Sequence, residues 1–349
     1  MSLISRSTNP SGRRSERAFV IEQPAIPAET IESVLRGAYS ISAARVEFLP
    51  LGLDPSAWSY RVESDGRFYY LKIRSGHFKP IGPLMPAFLA SSGVDQVIPP
   101  VPTADGRVWA SQEDLHFVLY PFIEGRRASE AGMTTAHWQQ LASFLQRLHH
   151  LQLPPELRDH VARDTFSPAH LGWVKRFHAG LRTFRGGDAL QREMGGLWRE
   201  QQAALSRLIE RTEALSERMH GAGLEFVLCH ADIHTANMLI DQSGHLLVVD
   251  WDETILAPKE RDLTYVLAEI GPADLDAFIE CYGEARIDPL AVAYYRHLWC
   301  LEDIGVDTEN VLSPEGMGEA DRSNSLDWLK RHFAAGGEAE RALETPLAM

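Results

Sequence analysis

The chain has 349 residues, 44% of them hydrophobic, and a formal net charge of −14. That length suits two domains, or two lobes around a cleft. The negative charge argues against nucleic acid, which demands a basic stripe to displace counterions, and suits a small cationic substrate.

Cys229, Cys281 and Cys300 are scattered, with no CxxC pair. Such spacing offers neither a disulfide framework nor a zinc knuckle, and it suits a reducing cytoplasm. No run approaches the ~18 apolar residues that a bilayer crossing needs, so no membrane partner is expected.

In chain order, residues 1–19 are Ser- and Arg-rich, lack an apolar signal block and read as a disordered leader. Residues 26–40 place Ile31, Val34, Leu35 and Ala38 on one face of an amphipathic helix. Strand-like alternation follows through "RVEFL", "SYRVES" and "RFYYLKIR", with Asp65-Gly66 as a hairpin turn. "RVWAS" and "HFVLYPFI" complete about five antiparallel strands. Residues 20–123 therefore read as a β-rich lobe, ending at a polar hinge, "EGRRASEAG" (124–132).

Residues 124–335 have a different character. Trp138, Leu141, Phe144, Leu145 and Leu148 recur at helical spacing, and helix-like stretches cover roughly 170–220 and 288–335. One β island, 225–251, interrupts them, with Asp241–Gly244 as its turn. Residues 336–349 are Gly/Glu/Ala-rich and read as a loose tail. A β lobe followed by a helical lobe is an α+β arrangement, with the cleft at residues 121–126.

"VLCHADIHTANMLI" (227–240) places His230, Asp232 and His234 at alternating positions. On a strand they would form a metal-ligand cluster, but no further ligand motif accompanies them. A second reading takes Asp232 and Asn237 as one loop and adds Asp250, at the end of the apolar strand "LLVV". Phosphoryl transfer needs a carboxylate to accept the hydroxyl proton, and oxygen ligands that hold Mg²⁺ against nucleotide phosphates. Asp232, Asn237 and Asp250 offer those parts in that order, and a hairpin between them would return Asp250 beside Asn237.

Lys72, inside the apolar strand "YYLKIR", is costly there unless its ammonium meets an anion such as a phosphate. The loop "LGLDPSAWSY" (51–60) has no G-x-G-x-x-G pattern, but Ser56 and Ser59 could donate to phosphate oxygens. In "VLYPFIEG" (118–125), the Pro121 carbonyl and the Ile123 N–H are spaced to meet an adenine edge.

"CHADIHTANMLI…VVDWDETILAPKERDL" resembles the aminoglycoside phosphotransferase family, most closely its spectinomycin-modifying branch. "YPFIEG" and "YYRHLWCLEDI" (294–304) support the resemblance, which extends over most of residues 26–330. It implies a bilobal protein-kinase-like fold, ATP and Mg²⁺ as cofactors, and transfer to a hydroxyl of a cationic aminocyclitol. Asp232 would be the catalytic base, Asn237 and Asp250 the Mg²⁺ ligands, and Lys72 the contact to the α/β phosphates. His230 would brace the loop, Asp262 its backbone, and His234 would belong to the loop scaffold.

Two amines on such a substrate would need carboxylates. Glu302, Asp303 and Asp307 are candidates, with 303 and 307 on one helical face. One departure from the family is plain. The segment after the lysine strand, residues 75–96, contains no Glu to pair with Lys72, and Pro80, Pro83 and Pro86 argue against a regular helix. Alternatives are a kinase of a small metabolite such as choline, homoserine or a thioribose-like sugar, or a silent nucleotide-binding module.

Overall fold

The computed structural model describes residues 23–51, 54, 56–283, 286–313 and 317–346. The leader at 1–19, and Gly52, Leu53 and Pro55 of the loop after the first strand, lie outside the described residues.

Helix α1 (Ala28–Tyr39) buries Ile31, Val34, Leu35 and Tyr39, the face that the sequence periodicity marks. Five strands follow: β1 (Arg45–Leu49), β2 (Ala57–Ser64), β3 (Arg67–Ser75), β4 (Ala110–Gln112) and β5 (Leu115–Pro121). They form one antiparallel sheet in the order β1-β2-β3-β5-β4. Asp65 and Gly66 join β2 to β3 with φ of 49° and 71°, the twist a tight hairpin requires. β4 is shorter than "RVWAS" suggests, because the Arg107 carbonyl closes a turn by accepting from the Thr103 N–H at 2.7 Å.

Side-chain alternation divides this sheet into two faces. Tyr60, Val62, Leu71, Ile73, Phe117 and Leu119 pack with α1 as the core of the small lobe. The register sets Ser59, Lys72 and Val118 side by side on the opposite face. The lysine therefore points out of the core, toward the second lobe.

Between β3 and β4, helix α2 (Ile81–Ser91) forms despite its prolines. Pro80 is the N-cap and Pro83 lies in the first turn, where backbone N–H groups have no helical acceptor to lose. Only Pro86 removes a helical bond, and burial of Ile81, Met85 and Leu89 offsets that loss.

The expected hinge is itself ordered as β6 (Gly125–Arg127) and α3 (Ala128–Ala131). β6 pairs with β9 (Met238–Asp241), which pairs in turn with β10 (Leu246–Val248). In the larger lobe, α4 (Thr135–His149) starts at a capping box between Thr134 and His137 and buries its apolar stripe. Next come α5 (Pro155–Arg158) and β7 (Ala162–Arg163). The 170–220 stretch is three helices, α6 (Leu171–Gly180), α7 (Ala189–Glu200) and α8 (Gln202–His220). Asp188 caps α7 by accepting from the Gln191 N–H, which restarts the chain after the Gly186-Gly187 break.

β8 (Val227–Cys229) pairs with β11 (Ile255–Ala257), which also pairs with β7, so the β island runs past 251. Then come α9 (Glu260–Glu269), α10 (Pro272–Tyr282), α11 (Pro289–Leu312) and α12 (Glu319–His332). The Ala-rich tail is not loose through 344: α13 (Glu338–Glu344) buries Ala339 and Ala342. No helix among the described residues is long and apolar enough to cross a membrane.

Gly125 permits the β6–β9 contact, because a Cβ there would lie 2.6 Å from the Ile240 carbonyl oxygen. Gly125→Ala is expected to destabilise the protein by roughly 1–3 kcal/mol through forced backbone displacement. Chemical denaturation of the variant checks this.

Candidate active site

The loop from 230 to 237 leaves β8 and enters β9 under strict control. The fully buried Asp262, in the first turn of α9, accepts from the His230 N–H at 3.0 Å and the Ala231 N–H at 2.7 Å. His149 Nε2 lies 3.1 Å from the same carboxylate, and the Tyr282 hydroxyl meets His149 Nδ1 at 2.7 Å. Ala231 has φ of 68°, a left-handed conformation costly for a residue with a Cβ, and the Asp262 bonds hold it there.

His230 braces the loop from the other side. Its Nε2–H donates to the Val249 carbonyl at 3.1 Å, and its Nδ1 accepts from the Asp232 N–H at 3.3 Å. Burial holds this ring below the ordinary histidine pKa, against the charges of Asp262 and Asp232. Both ring nitrogens serve the backbone, so the reading of His230, Asp232 and His234 as a metal cluster is set aside. His234 Nδ1 likewise accepts from the Ala236 N–H, at 3.2 Å.

Within that frame the polar groups converge. Asn237 Nδ2 donates to Asp232 Oδ2 and to the Asp232 carbonyl, each at 2.9 Å. The Tyr265 hydroxyl donates to Asp232 Oδ1 at 3.3 Å. The β9–β10 hairpin then returns the chain: the Val249 N–H bonds the Asn237 carbonyl at 2.9 Å, immediately before Asp250. Asp250 has φ of 66°, a second left-handed residue with a Cβ.

Lys72 Nζ reaches across from the sheet to Asp250 Oδ1 at 3.1 Å and Asp252 Oδ2 at 2.8 Å. Burial opposes the Lys72 ammonium, but the carboxylates of Asp250 and Asp252 hold its pKa well above the ordinary lysine value. The ammonium in turn holds the Asp250 carboxyl below its ordinary value, against desolvation and the nearby Asp232 charge.

The Asn237 amide oxygen and the Asp250 carboxylate are hard oxygen donors. Two protein ligands are what Mg²⁺ needs when phosphate oxygens and water complete its shell. Asp250 already faces a cation, the lysine, so this donor set fits the metal.

The structure brings together some of the nucleotide candidates and occupies others. Pro121 ends β5 opposite Tyr69, and Ile123 lies two residues on, in the connection to β6. The Ser56 N–H and hydroxyl both donate to Asp54 Oδ1, at 2.8 and 2.6 Å, while Asp54 Oδ2 takes Arg74 at 2.5 Å. Ser59 is buried in β2, its hydroxyl 2.6 Å from that of Tyr70.

The α11 carboxylates separate. Asp303 and Asp307 share a face, as their spacing requires, but that face packs against α12 and α13 instead of the cleft. Asp307 Oδ2 accepts from His332 Nε2 at 3.0 Å, and His332 Nδ1 lies 3.4 Å from Glu338. Asp303 is buried, and its charge also acts on His332. Asp303 and Asp307, the candidates for a substrate amine, are thus both buried where α11 packs on its neighbours. Glu302 instead acts on the Arg261 guanidinium, one helical turn from Trp299.

Tyr265 and Trp299 stack at 3.6 Å and form a wall beside Asp232 that residue spacing does not announce. Asp252, in the "DWDE" run, also pairs with Lys72, a contact that sequence spacing does not signal.

A two-lobed kinase-like fold with carboxylates, an amide and an opposing lysine converging between the lobes is the arrangement of a phosphotransferase. The chain belongs to the phosphotransferase enzyme family, whose pattern matches residues 47–296. It is 26% identical to Protein StrN of Streptomyces griseus over 298 residues, 82% of this chain and 86% of that one. It is similar to spectinomycin phosphotransferase APH(9)-Ia in complex with ADP and spectinomycin, with TM-score 0.84 and 27% identity. That match covers 93% of this chain and 100% of the other. Choline kinase LicA from Streptococcus pneumoniae, 13% identical at TM-score 0.56 over 91% of this chain and 99% of that one, shares the fold.

Two outcomes follow from these contacts. Asp262→Ala strands two buried N–H groups and is expected to cost roughly 3 kcal/mol of stability; thermal melts check it. The pairs to Asp307 and Glu338 overcome burial to raise His332 to about 9. Relative to an unfolded value of about 6.5, its stabilisation is fully present below pH ~6.5 and lost as pH rises through ~9. The melting temperature should fall across that window, and His332→Gln should flatten the slope.

Proposed function

We propose that the protein transfers the γ-phosphate of ATP, with Mg²⁺, to a hydroxyl of a cationic aminocyclitol, with spectinomycin the foremost candidate. The observation that carries this reading is the interlobe constellation: Asp232 bonded to Asn237, Asp250 returned beside Asn237, and Lys72 bonded to Asp250. The choice of acceptor is supported by the full-length likeness to an enzyme whose structure holds ADP and spectinomycin.

Asp232 accepts the acceptor hydroxyl's proton, with its two oxygens oriented by Asn237 and Tyr265. Asn237 and Asp250 hold Mg²⁺, which neutralises phosphate charge when bound. Lys72 meets the α/β phosphates, and Ser56 lies in the loop that would cover them. The Pro121 carbonyl and Ile123 N–H meet the adenine edge. Glu302, near the Tyr265–Trp299 wall, takes a substrate amine. Most of the acceleration then comes from positioning and electrostatics. Cys229 and Cys300 are buried free thiols and Cys281 a half-buried one, which agrees with work in a reducing cytoplasm.

The test is incubation with Mg-ATP and spectinomycin, read as phosphorylated product by mass. Asp232→Asn should lower kcat by about 10²–10⁴-fold while ADP affinity stays near the parent value; unchanged turnover rejects Asp232 as base. Product from choline or another small alcohol, with none from spectinomycin, would redirect the assignment to a metabolite kinase. Nucleotide binding without transfer to any acceptor would reduce the protein to a binding module.

A further inference from the structure

Lys72 has no acidic partner on α2, whose sequence "IGPLMPAFLAS" contains no carboxylate. Its second anion comes from the other lobe. We propose that Asp252 is the positioning residue for Lys72, holding the ammonium toward the nucleotide phosphates in the place that a helix glutamate would otherwise fill. The inference rests on the phosphotransferase reading above and assigns a residue that reading leaves without a role.

Four observations carry it. First, Asp252 is the nearer of the two carboxylates bonded to Lys72, at 2.8 Å against 3.1 Å for Asp250. If Asp250 turns to a divalent cation, Asp252 is the anion that keeps Lys72 in place.

Second, the turn bearing Asp252 is rigid. Trp251 is buried, its indole N–H donates to the Val248 carbonyl at 3.3 Å, and its ring meets those of His230 and Phe144 edge-on. The Thr254 hydroxyl closes the turn onto the Trp251 carbonyl at 2.7 Å.

Third, α2 is shaped around this carboxylate. A Cβ on Gly82 would lie 2.1 Å from Asp252 Oδ1, so any larger residue there requires that carboxylate to shift. Fourth, the same turn grips the strand and its continuation at two further points. Asp252 lies 3.5 Å from Arg74, and Glu253 pairs with Lys79 at 2.6 Å. Arg74 passes the contact on to Asp54, in the loop after β1.

The test is a double-variant cycle of Asp252→Asn and Lys72→Met, read in two ways: ADP binding by calorimetry without divalent metal, and steady-state kinetics with Mg-ATP. Without Asp252 the ammonium has Asp250 alone to pair with and is drawn away from the phosphates. Asp252→Asn is therefore expected to weaken metal-free ADP binding several-fold and to lower kcat/KM for ATP by about tenfold, with KM for the acceptor unchanged. In the Lys72→Met background the same substitution should change neither quantity further, because its effect runs through the lysine.

Gly82→Ala, which displaces the Asp252 carboxylate without removing its charge, should reproduce the loss. Additive effects in the cycle, or unchanged ADP affinity in Asp252→Asn, overturn the proposal. A loss with Mg²⁺ present that persists undiminished in the Lys72→Met background assigns Asp252 to the cation and overturns it as well. A parent protein that binds no ADP at all removes the phosphotransferase reading itself, and this inference with it.

Discussion

Two backbone N–H groups, those of His230 and Ala231, are buried with one carboxylate between them, and the geometry of the active loop hangs on that carboxylate. Asp262 accepts from both and is itself tied to His149 and, through it, to Tyr282. A buried anion is tolerable only when its lone pairs are bonded, and here the bonds come from the loop itself and from α4. The chain can therefore take the left-handed turn at Ala231 that aims Asp232 out of β8. Remove the anion and the His230 and Ala231 N–H groups lose their acceptor, leaving the His230 Nδ1 bond to the Asp232 N–H to hold the turn.

The same economy governs the return strand. His230 gives one nitrogen to the Asp232 N–H and the other to the Val249 carbonyl, linking Asp232 to the residue that precedes Asp250. The β9–β10 hairpin makes the second link, from Val249 to Asn237. A loop and a strand end nearly twenty residues apart are thus fixed to one another without any metal. Asp232, Asn237 and Asp250 are therefore held in place by backbone bonds, which is the sense in which such a site is preorganised.

Across the cleft, alternation along β3 does the complementary work. Leu71 and Ile73 enter the small-lobe core while Lys72 leaves it, so one strand both anchors the lobe and delivers the cation. Three electrostatic contacts from the turn 251–253, to Lys72, Arg74 and Lys79, then couple the lobes. Each is partly exposed, and their value lies in setting direction more than in stability.

What could be read from residue order was everything with a short-range signature. The α1 stripe, the Asp65-Gly66 turn, the two-lobe division and the order Lys72, Asp232, Asn237, Asp250 all follow from periodicity, turn chemistry and the atoms phosphoryl transfer needs. Three features were legible only in part. Proline content argues against α2 only where position is ignored: Pro80 at the cap and Pro83 in the first turn break no bond, and Pro86 alone removes one. The shared face of Asp303 and Asp307 was correct, but periodicity cannot say what a helix face packs against, and it packs against His332. The segment after β3 holds no glutamate for Lys72, and one of the lysine's anions stands 180 residues away in sequence.

The sequence by itself determined which chemical groups are available and which of them lie close along the chain, since local backbone preference and side-chain spacing act over a few residues. Tertiary structure alone decided which carboxylate meets which cation, which histidine nitrogen meets which backbone group, and which helix face sees the cleft. Those choices depend on packing between elements far apart in the chain. They are settled by the need to bond every buried polar group at once, and no local pattern records that outcome.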